Sequence, residues 1–82
     1  MGLAPNPFNQ STIIHYVIAD NSAKGNIIIR DINGNLVKSL AINNTGKGQI
    51  TVNANELAQG TYTYTLEISG RSIDTKLMVV TK

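Results

Sequence analysis

The chain of 82 residues contains no cysteine and no tryptophan. Without cysteine it cannot form a disulfide, a thiolate metal site, a redox pair or a cysteine nucleophile. One phenylalanine and three tyrosines offer few rings on which nucleic acid bases could stack. Apolar residues nevertheless make up 41% of the chain, which is near the globular norm, so we expect a compact core without covalent links.

Charge and long apolar runs are also scarce. The formal net charge is +2 and charged residues make up 15% of the chain. They are scattered, so there is no basic run of the kind that binds nucleic acid or an anionic membrane. No apolar stretch approaches the ~20 residues of a membrane span. The N-terminus lacks the basic and apolar regions of a signal peptide, and we expect the chain to be the excised end of a longer protein.

The only two prolines, Pro5 and Pro7, both lie near the N-terminus. Each fixes its own φ and biases the preceding residue toward extended backbone. We therefore predict that residues 1–10 form an ordered segment that links the domain to an upstream protein, with Phe8 as its anchor. The folded domain is expected to span residues 11–82.

Alternation of apolar and polar residues, interrupted by turn residues, dominates the rest of the chain. It predicts strands at 11–18, 25–32, 36–42, 49–54, 61–68 and 71–82. The run Ile27-Ile28-Ile29 is β-branched, which favours a sheet over a helix. In the first strand both faces carry apolar residues, so the pattern leaves open which one faces the core. Short strands without a helical period predict an all-β protein, an immunoglobulin-like antiparallel β-sandwich of six to seven strands.

Asn33-Gly34 is the strongest hairpin signal in the sequence. Both residues tolerate the positive φ that a type I′ turn requires, and apolar runs lie on either side. Further turns are expected at 20–22, within 43–48 and at 69–70. A single helical turn is possible in 56–60.

Gly60 and Tyr62 lie where the chain turns into a predicted strand. Immunoglobulin-like sandwiches place a tyrosine corner at such a point, with its hydroxyl bonded to upstream backbone. The alternative is that Tyr62 is a core aromatic residue with its hydroxyl at the surface. The pattern as a whole predicts a core of Ile14, Tyr16, Ile27, Ile29, Ile50, Val52, Leu57, Tyr62, Tyr64, Leu66 and Val79.

No constellation of residues indicates catalysis or metal binding. His15 is the single histidine and lies mid-strand without a nearby acid and nucleophile in sequence, which a general base would need. No two acidic residues are spaced as a catalytic pair. Asp31 to Asn35 faintly resembles a calcium loop but lacks the length, the flanking helices and the terminal Glu of one. We therefore expect no enzyme activity, no cofactor, no small-molecule substrate and no nucleic acid partner.

Several motifs together resemble the type A C-terminal sorting domains of the type IX secretion system of Bacteroidetes. They occur in order along nearly the whole chain. They are Pro5-Asn6-Pro7-Phe8-Asn9, Thr12 to Tyr16, Asp31-Ile32-Asn33-Gly34, Leu57 to Tyr62, and Asp74 to Lys76 followed by Met78-Val79 and Lys82. Leu77 stands where the family often has a second basic residue, so this tail is less basic.

This resemblance implies an immunoglobulin-like fold and a function as a C-terminal address. Such a domain follows a cargo protein in the same polypeptide and is recognised in the periplasm by the outer-membrane translocon. After export to the cell surface or the medium, a sortase-like cysteine protease usually removes it. The alternative from the residues alone is a structural or adhesive sandwich module that mediates protein–protein contacts on a surface protein.

The family carries its recognition information in the C-terminal strands. By position this points to Lys76, Met78, Val79, Val80 and Lys82. If the last strand has an exposed edge, a partner can add a strand to it, and the two lysines would supply charge complementarity. The alternative is that this strand is needed only for folding.

Overall fold

The computed structural model of the chain describes residues 1–18, 24–43 and 46–81. Within these ranges the chain is all-β, as predicted, and forms a single 3-10 turn at Ala54–Glu56. The expected turn at 20–22, part of the loop at 43–48, and Lys82 lie outside the described residues. The seven strands are β1 Gly2–Ala4, β2 Ser11–Ile18, β3 Gly25–Asp31, β4 Leu36–Ile42, β5 Gly46–Asn53, β6 Gly60–Ile68 and β7 Arg71–Val80.

Two antiparallel sheets form a sandwich. One has three strands in the order β1-β2-β5, and the other has four in the order β4-β3-β6-β7. The six predicted strands are all present, with boundaries that differ by no more than three residues. The seventh, β1, lies within the segment that the sequence predicts to be the link to an upstream protein, and its Leu3 pairs with Ile14 of β2.

The structure decides which face of β2 is inside. Thr12, Ile14, Tyr16 and Ile18 are buried, whereas His15 and Val17 are exposed. Tyr16 packs so closely over β5 that a Cβ at Gly48 would overlap its ring. Gly48 is therefore required by the packing of the tyrosine.

The core lies between the two sheets and includes nearly all of the predicted residues. Ile14, Ile27 and Ile29 are fully buried, and Leu66 is 3% exposed. Two of the predicted residues, Ile50 and Val79, are half-buried instead. The register explains Val79, because its neighbours on β7 have the inward positions. Additional buried residues are Phe8, Ile18, Ile28, Ile42, Ala54, Met78 and Val80.

The Asn33-Gly34 hairpin exists, but its turn differs from the prediction. Gly34 has φ +86°, while Asn33 does not adopt positive φ. The Gly34 amide donates to the Asp31 carbonyl at 3.0 Å and the Asp31 amide to the Asn35 carbonyl at 3.0 Å. These bonds define a three-residue loop of Ile32, Asn33 and Gly34, in which the left-handed glycine is the last residue of the four-residue turn that begins at Asp31. The type I′ prediction was therefore wrong, because Ile32 joins the loop and only one residue needs positive φ.

Positive φ at two consecutive residues occurs at Ser69-Gly70 instead. Ser69 has φ 52° and Gly70 has φ 79°, and Ile68 pairs directly with Arg71 across the turn. A two-residue loop of this kind matches the right-handed twist of the two strands that it connects. It joins β6 to β7 and thereby fixes the register of the last strand.

None of the described residues belongs to a helix long and apolar enough to cross a membrane.

Candidate functional site

The last strand, β7, lies at one edge of the four-stranded sheet. One side of it pairs with β6 from Gly60↔Val80 to Ile68↔Arg71. The register shifts by one residue between Leu66 and Glu67, so Ile73 has no opposite residue on β6. The other side of β7 is a sheet edge, and the N-terminal segment covers only part of it.

The structure separates the side chains of the predicted recognition residues. Met78 and Val80 are 0% and 1% exposed, so their side chains belong to the core. Val79 is half-buried and Lys76 is exposed, while Lys82 lies outside the described residues. Lys76 is paired with Tyr64 and so belongs to the core-facing row of β7, at the rim of the sandwich.

Asn6 and Phe8 cover the end of the β7 edge. Phe8 is 3% exposed, which confirms its prediction as the anchor of the N-terminal segment. Its amide donates to the Val79 carbonyl at 3.1 Å, and its carbonyl accepts from the Thr81 amide at 2.8 Å. This is a parallel bridge between Phe8 and Val80, so the N-terminal segment already acts as a short additional strand.

The Asn6 side chain continues this pairing by one step. Its Oδ1 accepts a hydrogen bond from the Val79 amide at 3.0 Å, and its Nδ2 donates to the Leu77 carbonyl at 3.3 Å. A carboxamide has the same donor and acceptor as a peptide group. Asn6 therefore bonds β7 as the backbone of a neighbouring strand would.

Beyond Asn6 the edge of β7 is open. The direction of backbone hydrogen bonding alternates along an antiparallel strand, so the groups of Thr75 point to the same side as those of Leu77 and Val79. The Thr65 and Thr75 hydroxyls lie 2.9 Å apart, which fits the closely approaching side chains of a pair without backbone bonds. In the described part of the chain no segment pairs with this stretch of the edge.

Exposed apolar side chains accompany the open stretch. Ile73 is 57% exposed and Leu77 is 62% exposed. Leu77 pairs with Thr63, on the face of the sheet that points away from the core. An open sheet edge with unpaired backbone groups and exposed apolar side chains can accept a strand from a partner.

Two further contacts hold the N-terminal segment in place. The Thr12 hydroxyl donates to the Pro5 carbonyl at 2.6 Å, and the Ala54 amide donates to the Gln10 carbonyl at 2.7 Å. Pro5, Asn6 and Pro7 are exposed, and both prolines follow cis peptide bonds. The segment is thus fixed at both ends of the Pro-Asn-Pro-Phe motif while its surface faces solvent.

The tyrosine corner is present. The Tyr62 hydroxyl donates to the Ala58 carbonyl at 2.6 Å, just after the chain enters β6 at Gly60. This contact fixes the path of the loop between the 3-10 turn and β6.

Asp31 organises the β3–β4 turn at the same end of the sheet as Tyr62, with which it pairs. Its Oδ1 accepts from the amides of Asn33 at 2.9 Å and Asn35 at 3.0 Å, and its Oδ2 accepts from the Asn35 side chain at 3.3 Å. The Asn35 amide above all, with its side chain and the amides of the turn, lowers the pKa of the Asp31 carboxyl. Both carboxylate oxygens of Asp31 are therefore bonded within the turn.

His15 lies exposed on the outer side of β2, above a shallow depression next to Lys47. In the described ranges no group of three His, Asp or Glu side chains lies where it could share a metal ion.

Sequence reasoning singled out Asn6 only as part of a motif and missed its contact with the last strand. The contacts of Asn6 join residues more than 70 positions apart, and no local pattern encodes such a separation. The one available signal was the pair of prolines, which marks a rigid segment.

Comparison with known proteins gives one match. A family model described as a secretion system C-terminal sorting domain matches residues 3–80. No curated protein matches the chain. No solved structure matches it either.

Proposed function

The chain belongs to the secretion system C-terminal sorting domains, and on that premise we propose that its last strand, β7, is the element that the export machinery recognises. Domains of this family are the C-terminal signals of type IX secretion. The domain directs export across the outer membrane to the cell surface or the extracellular space. Family membership also implies contact with the secretion machinery and a place in a cargo polypeptide.

The observation that supports β7 is its position at a partly uncovered sheet edge. Lys76 and Leu77 are exposed there, so a partner can reach both side chains without unfolding the domain. Met78 and Val80 contribute to recognition indirectly, because burying them holds β7 in register. In the sequence Lys82 comes two residues after the end of β7 and adds a second positive charge.

The partners that we propose are the outer-membrane translocon and a sortase-like protease that removes the domain after export. Neither partner requires chemistry from this domain. Its family is not known for enzymatic activity, and we propose that the domain acts only by being bound. A cationic strand edge favours encounter with an acidic partner surface and sets its register more than it raises affinity.

Export of a periplasmic reporter fused to residues 1–82 tests the proposal. In a Bacteroidetes host the fusion should reach the medium or the cell surface, and disruption of type IX secretion should retain it in the periplasm. Changing Lys76→Glu together with Lys82→Glu should reduce export while the melting temperature stays near that of the wild type. Lys47→Glu is the matched control, because Lys47 is exposed on β5 of the other sheet.

Equal export of the Lys76/Lys82 and Lys47 variants, all folded, would contradict the role of β7 side chains. Export that is independent of type IX secretion would instead support the alternative of a structural or adhesive module.

A further inference from the structure

The Asn6 carboxamide makes the two bonds to β7 that the C=O and N–H of one residue in a parallel neighbouring strand would make. We propose that the open edge of β7 binds an extended segment of the export machinery as an additional strand, and that this segment displaces the Asn6 side chain. This inference rests on the proposed function of β7. It adds how the partner binds and where its strand ends.

The bonds on the edge define the binding mode. Val79 donates to Asn6 Oδ1 and Leu77 accepts from Asn6 Nδ2, so both bonds can pass to the C=O and N–H of one residue in a partner strand that runs parallel to β7. Thr75 and the Leu77 amide then extend the pairing toward Ile73. Binding of a strand to an exposed edge derives its affinity from main-chain hydrogen bonds and its specificity from the side chains on alternate positions.

Phe8 sets the end of the added strand. Its side chain is 3% exposed and its backbone bonds both Val79 and Thr81, so it stays in place when Asn6 leaves. Asn6 itself is exposed, and both of its bonds to β7 are exposed to solvent. The structure therefore divides the N-terminal segment into a firm anchor and a displaceable side chain two residues before it.

The side chains along the edge specify the chemistry of the partner. Leu77 is largely exposed on the outer face of the sheet, and an added strand would cover it with an apolar side chain on the same face. Lys76 lies on the opposite, core-facing row. The partner is thus an extended segment of alternating pattern, apolar on one face and with an acidic residue opposite Lys76 on the other.

A proline at position 77 tests the backbone bonds separately from the side chain. The Leu77 amide points to the open edge, and proline is accommodated in edge strands where the missing N–H faces solvent. Leu77→Pro should reduce export of the fused reporter by about tenfold relative to Leu77→Ala. Leu77→Ala is the control, because it keeps the amide and loses the same side chain. Thr75→Pro against Thr75→Ala repeats the comparison at a second position.

Asn6→Ala tests whether Asn6 is displaced or is itself recognised. Hydrogen exchange at the Val79 amide should accelerate by about tenfold, because its acceptor is lost. Export should equal or exceed that of the wild type. Asn9→Ala is the matched control, because Asn9 is exposed in the same segment and has no bond to β7 in the described structure.

The wild-type domain provides a test that needs no variant. Detergent-solubilised outer membranes from secretion-competent cells should slow exchange at the Thr75 and Leu77 amides by about tenfold. Membranes from cells without the secretion system should leave it unchanged.

Three results would overturn the inference. The first is equal hydrogen exchange at the Thr75 and Leu77 amides with membranes from cells that have and cells that lack the secretion system. The second is equal export of folded Leu77→Pro and Leu77→Ala. The third is loss of export in folded Asn6→Ala. A defect in Leu77→Pro with normal export of the Lys76/Lys82 variant would refute only the proposed charge contacts. Normal export of folded Leu77→Pro together with reduced export of the Lys76/Lys82 variant would refute only the added strand.

Discussion

The Tyr62 hydroxyl donates a hydrogen bond of 2.6 Å to the carbonyl oxygen of Ala58. The bond joins residues four positions apart at the point where the chain leaves the 3-10 turn and begins β6. Tyr62 is 6% exposed, so its ring is in the core while its hydroxyl orders the loop. The contact therefore links the start of β6, the strand on which β7 is built, to the core.

Replacing Tyr62 by Phe should lower the free energy of unfolding by about 1 kcal/mol, because the ring stays buried and the Ala58 carbonyl loses its donor. Tyr64→Phe is the matched control. Tyr64 is on the same strand and its hydroxyl makes no hydrogen bond within the described chain. Urea unfolding of both variants measures the difference, and equal costs would show that the Ala58 bond contributes nothing.

The loop at Gly34 predicts opposite outcomes for two neighbouring residues. Gly34→Val should cost about 1–2 kcal/mol, because φ is +86° and a β-branched residue is strained there. Asn33→Ala should cost less than about 0.5 kcal/mol, since Asn33 is exposed and does not adopt positive φ. Denaturant unfolding of the two variants measures both costs. A large cost for Asn33→Ala would indicate that Asn33 has positive φ, as in a type I′ turn.

The turn at Ser69 offers a stabilising substitution. Ser69 has φ 52°, a conformation that asparagine tolerates better than serine in a two-residue hairpin loop. We expect Ser69→Asn to raise the free energy of unfolding by about 0.5 kcal/mol and Ser69→Val to lower it by about 1–2 kcal/mol. Thermal unfolding should order the melting temperatures Asn above Ser above Val. Any other order would mean that the turn differs in solution.

Core and edge leucines should differ sharply in their contribution to stability. Leu66 is 3% exposed, and Leu66→Ala should cost about 2–5 kcal/mol through the cavity that it leaves. Leu77 is 62% exposed, so Leu77→Ala should cost less than about 0.5 kcal/mol. Chemical denaturation of the two variants tests this, and comparable costs would place Leu77 in the core.

Acid should weaken the β3–β4 hairpin through Asp31. The amide donors of the turn lower the pKa of Asp31 from its ordinary value of 3.8, because they stabilise the carboxylate. Its contribution to stability is therefore present above 3.8 and is lost as the pH falls through the lower folded value. An NMR titration of the Asp31 carboxyl should give a midpoint below 3.8. Asp31→Asn should remove part of the acid dependence of unfolding, and an unshifted midpoint would contradict the turn geometry.

Local sequence determined most of the fold. Alternating residues placed all six predicted strands, because burial on one face of a pleated strand imposes a period of two. The position of Tyr62 after a turn was enough to raise the tyrosine corner as an alternative, and the order of motifs along the chain identified the family. Phe8 as an anchor followed from an apolar residue between rigid, polar neighbours.

The chain by itself left three matters to the tertiary structure. The buried face of β2 depended on which side the second sheet covers, since both faces carry isoleucine or valine. The three-residue loop at Gly34 depended on the register of β3 against β4, which shifts between Ile29 and Arg30 so that Arg30 pairs with Leu36.

The state of the β7 edge was also decided only by folding. The sequence predicted the last strand, but whether its edge is open depends on a segment more than 70 residues earlier. Hydrogen bonds between such distant residues leave no periodic trace in a sequence, because each requires only one suitable side chain. Asn6 is such a side chain, and the closed and open parts of the β7 edge follow from its contacts.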